Sequence, residues 1–469
     1  MFRHLILLLA IHFAILLTGP KLYTDSLVRY LHLQSVAYTC LSCNISNYLF
    51  LNLPVGTRKI FKFNQITSQL FVSLQVPRYR LMWLSDIALH SAEFMEILIL
   101  SWFILETTDS PLILGLFGAL RFSGTLGAPF FGVFVDRIGW KKIFVSSRLA
   151  FLIFSLSIFI AAATDNLSIP LILFMTVLIG LWRSVDMIVR QSILPEVVGS
   201  HRLQNGVALT RTGRDITQIF APVLAGILMD AYGVTLSYIV IVFLYAISLI
   251  LITFLRNISR YPTENRDSVL RNLMGGLRYV KAENFLMALL VIAFIVNLTA
   301  FPFNNSLIAV VARDVFDTSA TGLGWLMGAF SLGALLGSLV VGSFVSSRPT
   351  NKLMIAGSFL WHIAILLMAG IKLFYASLPV LMFIGIFQSF SMVTMAVMIL
   401  QYTGYQMRGR VLGLRQLAVY GLPIGLLLSG FIADEIGVMW ALVLNGTMGI
   451  ALLGGVLVKW PQVLVHEFK

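Results

Sequence analysis

The chain has 469 residues, of which 58% carry apolar side chains and only 11% are charged, and this excludes a soluble protein with a charged surface. A formal charge of +13 sits in short loops rather than along one helical face, which excludes a nucleic-acid-binding stripe. Two cysteines, Cys40 and Cys43, leave no disulfide framework to support the fold.

Residues 1–80 read as an N-terminal extension, expected to be poorly ordered. Its apolar run 5–17 follows Arg3 and His4 and is signal-like in shape, yet it is short for a span and lacks a small-residue cleavage site; a translation start placed too early is the other reading. Cys40 and Cys43 have metal or redox spacing, but zinc needs four ligands and only His32 stands close, so no metal is expected.

Twelve apolar crossings follow, near 81–105, 112–134, 143–163, 169–190, 207–229, 235–255, 285–308, 321–345, 352–371, 378–402, 411–433 and 437–458. Each is close to the ~20 residues that cross ~30 Å of hydrocarbon. The loops between them alternate in charge. Arg78/Arg80, Arg137/Lys141/Lys142, His201/Arg202, the linker 256–284, Arg348/Lys352, Arg408/Arg410 and Lys469 form a basic set. Glu106/Asp109, Asp165, Asp230, Asp314/Asp317 and Asp434/Glu435 form an acidic one, with Arg313 and Lys372 as exceptions. Excess Lys and Arg mark the cytoplasmic side, so the linker and the C-terminus are expected inside a cell membrane, and twelve crossings satisfy the alternation.

An ionisable side chain at mid-bilayer costs ~2.5–3.5 kcal/mol on insertion scales, so each one asks for a reason. Span one carries Asp86, His90 and Glu93 at i, i+4 and i+7, with Glu96 one turn beyond Glu93. Span four carries Arg183, Asp186 and Arg190 at i, i+3 and i+7, so each set shares a helical face. Arg121, inside span two, has no nameable partner. Arg211 and Arg415 occupy equivalent places in spans five and eleven, where snorkelling to headgroups explains both. Arg214 and Asp215 lie deeper and offer a gate pair. In the linker, Val269, Leu273, Leu277 and Val280 recur at helical spacing beside Arg271, Arg278 and Lys281, as in a helix on a membrane surface; a soluble connecting helix fits the same pattern. Span seven offers Asn297, Thr299, a break at Pro302, then Asn304 and Asn305; span ten offers Gln388, Ser389, Ser391 and Thr394.

The halves repeat. Leu126-Gly127-Ala128 to Gly132-Val133-Phe134-Val135 returns, 210 residues on, as Leu336-Gly337-Ser338 to Gly342-Ser343-Phe344-Val345. Ala225-Gly226, Asp230 and Gly233-Val234 match Ser429-Gly430, Asp434 and Gly437-Val438 at an offset of 204. The segments are therefore 1–80, a six-span half 81–255, the linker 256–284, a second half 285–460 and a tail 461–469. Duplicated halves suit a transporter that rocks between two openings.

The loop Gly132-Val133-Phe134-Val135-Asp136-Arg137-Ile138-Gly139-Trp140-Lys141-Lys142 resembles the signature loop of the major facilitator superfamily, with Trp140 at the first basic place of its cluster. Its position between spans two and three, with a decayed copy after span eight, makes the likeness specific. The stretch from Thr217 to Gly226, with Pro222, looks like a degenerate fifth-span motif of exporter-type antiporters. The run Glu106–Pro111, the loop Leu194-Pro195-Glu196-Val197 and Arg410-Val411-Leu412-Gly413 place the likeness nearest the enterobactin-exporter-like and macrolide-efflux branch.

The resemblance implies an all-α fold of twelve membrane helices in two pseudo-symmetric halves, with spans one, four, seven and ten around a central cavity. It implies a gating motif at Gly132, Asp136, Arg137, Gly139, Lys141 and Lys142, which on the plainer reading only enforces orientation, and a fifth-span motif at Pro222 and Gly226. The expected substrate or proton pathway comprises Asp86, His90, Glu93, Glu96, Arg183, Asp186, Asn297, Asn304 and Gln388. There Glu93 and Glu96 exchange protons or meet a cation, and Arg183 holds an anionic group or an empty-state carboxylate. The other reading of the same residues is a buried structural Glu–Arg pair between helices. The expected function is proton-coupled export of an amphipathic drug, macrolide or siderophore by alternating access, with membrane lipid around a monomer. An importer or lipid flippase on the same fold is the alternative, and a sensor ranks last. With no nucleophile-elbow, P-loop or zinc-helix motif, neither enzyme chemistry nor a cofactor is expected.

Overall fold

The computed structural model describes residues 71–127, 131, 138–255, 269–344, 350–404 and 407–465. The expectations for residues 1–70, Cys40 and Cys43 included, and for Gly132, Asp136 and Arg137 lie outside the described residues. Every regular element among the described residues is helical.

Ten helices there are long and apolar enough to cross a membrane. One of them, Leu203–Thr253, has 51 residues, twice what a crossing needs, and is broken at Gly233 (φ 72°, ψ −174°). That conformation is open to glycine and strained for other residues, and it separates span five from span six. A shorter apolar helix, Pro111–Thr125, supplies the second crossing. Counted this way, the described helices accommodate the twelve expected crossings. The outer turns follow the same backbone logic: Asp109, Asp165 and Asp317 sit at positive φ at the ends of spans one, three and seven, and Gly437 does so at the end of span eleven. Aspartate is among the few residues that tolerate this region, so the acidic loops are also the turns.

Span one begins at Pro77, slightly ahead of the expected boundary, and runs to Thr108. A short turn before it is tied to the start of span five, where the Ser73 amide donates to Asn205 Oδ1 at 3.0 Å. Span two departs from the single helix expected over 112–134. Its α-helix Pro111–Leu120 gives way at Arg121 to a tighter turn, Ser123–Gly127. The break brings span two against span four so closely that a Cβ on Gly124 would lie 2.2 Å from the Gly180 carbonyl oxygen. Span seven is interrupted as Pro302 predicts: its α-helix Asn284–Thr299 passes into wider π-type turns at Phe303–Leu307 and Val311–Val315.

The two halves meet backbone to backbone. A Cβ on Gly226 of span five would lie 2.3 Å from the Ala320 carbonyl oxygen of span eight. Gly115 of span two stands equally close to Leu426 of span eleven, at 2.5 Å. Small residues at helix crossings permit this approach, and dispersion between the backbones replaces the hydrophobic drive that lipid abolishes. Large apolar side chains such as Phe220, Phe243 and Ile250 point outward, the reverse of a soluble surface. The linker forms the helix Val269–Ala282 and packs on the start of span eleven, with Gly276 against Arg410 and Leu414.

Candidate functional site

Spans one, three and four converge on a buried ionic cluster at membrane depth. Helical spacing turns Asp86, His90 and Glu93 to one side of span one, and span four meets that side. Between them, from span three, comes Arg148, which is completely buried. It donates to Asp86 Oδ1 at 2.8 Å and stands 3.6 Å from Asp186 Oδ1. Asp186 also accepts from Ser147 Oγ at 2.9 Å and from Arg190 at 2.5 Å, while Arg190 Nε lies 3.6 Å from Asp86.

A second arm leads away from this knot. The Arg190 guanidinium lies 2.6 Å from His90 Nε2, and a guanidinium can only donate. Nε2 must therefore accept, which leaves the proton on Nδ1, 3.0 Å from Glu93 Oε2. Glu93 accepts in turn from Arg183 of span four. The Arg190–His90–Glu93–Arg183 chain thus has a defined polarity. Its two ends differ in access: the Arg183 side chain is 29% exposed and that of Arg190 13%. Three carboxylates (Asp86, Glu93, Asp186) face three guanidiniums (Arg148, Arg183, Arg190), so the cluster is neutral as a unit.

Glu96 stands apart from that stripe. It accepts from Tyr238 at 3.2 Å and Tyr245 at 3.0 Å, both in span six, and Tyr245 stacks on Phe151. Arg121, at the break in span two, is within electrostatic range of Glu96 and Tyr245. The sequence places Glu93 and Glu96 in one pathway; in the structure their partners differ, His90 and Arg183 for Glu93 and the two tyrosines for Glu96.

The second half is polar without charge. Asn297 spends its amide on the Ala293 carbonyl of its own helix, and Asn304 Oδ1 is buried without a hydrogen-bond partner among the described residues. Gln388 is half-buried. His362, in span nine, bonds the Ser358 carbonyl and Thr299, both at 2.8 Å, and bridges spans seven and nine beside the Pro302 break. Pro222 and Gly226 lie at the contact with span eight. Of the gating motif, Gly139 (φ 96°) starts span three, with Lys141 half-buried and Lys142 exposed in its first turn.

Sequence reasoning missed Arg148, Ser147, Tyr238, Tyr245 and His362. Arg148 follows Lys141 and Lys142 closely and reads as the tail of a basic loop. The signal that could have found it is periodic: Phe144, Ser147, Arg148, Phe151 and Ser155 form the buried stripe of span three, whereas Leu149, Ile153 and Ile160 face outward.

The profile of the transmembrane secretion effector family, a branch of the major facilitator superfamily, matches residues 68–467. The chain belongs to this family. Among similar proteins, macrolide efflux protein A of Streptococcus pyogenes is 21% identical over 360 residues, covering 75% of this chain and 88% of that protein. The multidrug efflux pump Tap of Mycolicibacterium fortuitum is 25% identical over 348 residues, covering 71% and 83%. The enterobactin exporter EntS of Escherichia coli is 23% identical over 283 residues, covering 60% and 67%. A bacterial homologue of the human lysosomal transporter Spinster, solved inward-facing and unoccupied, superposes with a TM-score of 0.68 at 13% identity, covering 84% of this chain and 99% of that one. The protein is therefore a multi-pass membrane transporter of the major facilitator fold, and members of this family are transporters rather than enzymes.

Proposed function

We propose that this transporter exports an amphipathic small molecule across the cell membrane by alternating access, coupled to protons moving inward. The observation that carries the reading is that, among the described residues, the acidic turns of the two halves are joined by charged hydrogen bonds and an ion pair. Asp230, at the end of span five, accepts from Ser319 Oγ at 2.5 Å and from the amides of Ala320 and Thr321 at 3.1 and 2.8 Å, capping span eight. Asp434, its repeat partner, accepts from Ser110 Oγ at 2.8 Å and the Leu112 amide at 3.4 Å, capping span two. Arg313 of span seven adds a bond to the Leu105 carbonyl, at the C-terminal end of span one, and pairs with Asp109 at 2.7 Å. Carboxylates at helix N-termini and a guanidinium at a C-terminus each match the helix dipole.

These contacts lie among the acidic turns, the external side by the positive-inside rule. The conformation is then closed outside, with Arg183 still in reach of water below the closure. Cap contacts that join separate halves can break without unfolding either, as a rocking transporter requires. Export is supported by the efflux activities named for the relatives, and the single chain, carrying both halves, acts as a monomer. Proton coupling is supported by the His90–Glu93–Arg183 chain, where Glu93 is a carboxylate for which a proton and the Arg183 guanidinium compete. One proton crossing ~100 mV supplies ~2.3 kcal/mol, which sustains a gradient of about 50-fold.

The test is accumulation of a panel of drugs and siderophores in cells with and without the protein, with a protonophore control, repeated with Glu93→Gln and Arg183→Gln. Lower accumulation that the protonophore abolishes is expected, with both variants inactive. Normal efflux with normal pH dependence in both variants removes the coupling role of the pair, and equal accumulation with and without the protein removes export.

A further inference from the structure

Among the described residues, Arg121 and Arg214 are the guanidiniums of the charged region that make no ion pair, and only Arg121 has an otherwise unpaired carboxylate, Glu96, in range. Within the expected crossings, spans one to six hold five carboxylates, Asp86, Glu93, Glu96, Asp186 and Asp215, against six guanidiniums, Arg121, Arg148, Arg183, Arg190, Arg211 and Arg214. Asp86, Glu93 and Asp186 are used by Arg148, Arg183 and Arg190, and Glu96 lies in range of Arg121. The neighbouring Asp215 is engaged by Arg211 at 3.0 Å. Spans seven to twelve do nothing to redress the balance, because their acidic residues, Asp314, Asp434 and Glu435, sit at the outer ends of the helices. They add Arg415 instead, whose guanidinium reaches the Met392 carbonyl of span ten at 3.5 Å.

The place of this surplus charge is as telling as its sign. The Arg214 guanidinium carbon lies 6.0 Å from the centroid of the Phe94 ring, near the middle of span one. It shares that level with Glu93 and Arg183, and it interacts electrostatically with Arg183 and Arg190. Arg214 is thus held over an aromatic face next to the accessible end of the ionic chain, with Arg183 repelling it. An uncompensated charge at this depth costs several kcal/mol unless something of opposite sign joins it. A ligand with an anionic head and an aromatic or apolar body supplies both complements: its head bridges Arg183 and Arg214, and its body lies against Phe94.

We propose that the substrate is an amphipathic organic anion and that Arg214, with Arg183, is its charge-reading residue. This deepens the proposed function and rests on the reading that the mid-membrane cluster belongs to the substrate pathway. Binding of such an anion competes with Glu93 for Arg183.

The experiment uses the full chain in neutral-lipid nanodiscs and three near-isosteric probes: naphthalene-1-acetate, naphthalene-1-acetamide and 1-naphthylmethyl-trimethylammonium. Calorimetry is expected to show the anion binding at least tenfold tighter than the amide or the cation. Arg214→Gln is expected to lose that tenfold and Arg214→Lys to recover part of it, with amide binding unchanged in both, which also reports that the variants are folded. Equal affinity for the three probes, or anion affinity unchanged in Arg214→Gln, overturns the proposal. So does displacement of the anion by added phosphatidylglycerol in the native protein but not in Arg214→Gln, which makes Arg214 a lipid anchor.

Transport is scored separately, in everted vesicles with a proton gradient. Uptake of neutral or cationic drugs alone leaves export standing and removes the anionic substrate. Arg214-dependent anion binding without uptake of any compound does the reverse.

Discussion

Arg148 is the residue whose removal the geometry prices most directly. Arg148→Met keeps an unbranched apolar stem and deletes the guanidinium between Asp86 and Asp186. Arg190 alone then faces two buried carboxylates, at 2.5 Å from Asp186 and 3.6 Å from Asp86. Asp86 loses its 2.8 Å bond, while Asp186 keeps Ser147 and Arg190. The unpaired carboxylate can escape by taking a proton, and against a reference pKa of ~3.9 that costs about 4 kcal/mol at pH 7. The figure agrees with the ~3–5 kcal/mol lost when one partner of a buried ion pair is deleted. Reversible unfolding in mixed micelles should therefore show Arg148→Met destabilised by about 3–4 kcal/mol. Asp86→Asn on that background should recover all but ~1 kcal/mol, since neither charge is then stranded. A single variant within ~1 kcal/mol of the native protein, or a double variant no better than the single, refutes the ionic knot as a coupled unit.

Three further outcomes follow from the same contacts. Replacing Asp230 and Asp434 by Ala removes two N-terminal caps worth ~1 kcal/mol each, which moves the equilibrium toward the outside-open state by about 30-fold. Spin labels at Asn166 and Tyr375, on outer turns of the two halves, should report a longer mean distance, and an unchanged distribution would contradict the closure. Gly226→Val places a Cβ 2.3 Å from the Ala320 carbonyl oxygen and should abolish the same closed population, whereas Gly454→Ala, with nothing within 4 Å, should leave it intact. Tyr245→Phe deprives Glu96 of its 3.0 Å donor and should cost ~1–3 kcal/mol in unfolding. The double variant with Tyr238→Phe should cost more than the sum, because Glu96 then has no donor from span six.

The crossings were legible because they depend on local composition, and the charged faces of spans one and four because they depend on period, while the expectation that those faces share one space came from the family resemblance. Glu96 shows where period stops being enough. Ten residues beyond Asp86, it is rotated about 80° around an ideal helix, enough to leave the face toward span four. Which tyrosines wait there depends on where span six packs. Arg148 stayed hidden because a basic residue one and a half turns inside a span looks like the fading edge of a basic loop. Asp230 and Asp434 were visible as repeat partners and as charges of the outer side. Their role as caps was not, because Asp230 takes donors some 90 residues away and Asp434 takes them 322 residues away.

The two halves have kept different things since they were duplicated. Both retain the outer cap and the glycine turn behind it, Asp230 with Gly233 and Asp434 with Gly437. Only the first retains acidic residues at membrane depth. Closure needs both halves, since each cap joins one to the other, and a symmetric pair of caps opens and closes about one axis. Ion chemistry needs no such symmetry and is built from spans one, three and four, with Arg214 of span five beside them. It follows that the two devices are separable by mutation. Loss of a cap should change the balance between outside-closed and outside-open states while leaving anion affinity in the outside-closed state as it was. Loss of Arg214 should weaken anion binding and leave the spin-label distances of the empty protein unmoved. A cap variant that changed anion selectivity would mean that the gate and the ionic cluster are mechanically one, and the division of labour between the halves would fail with it.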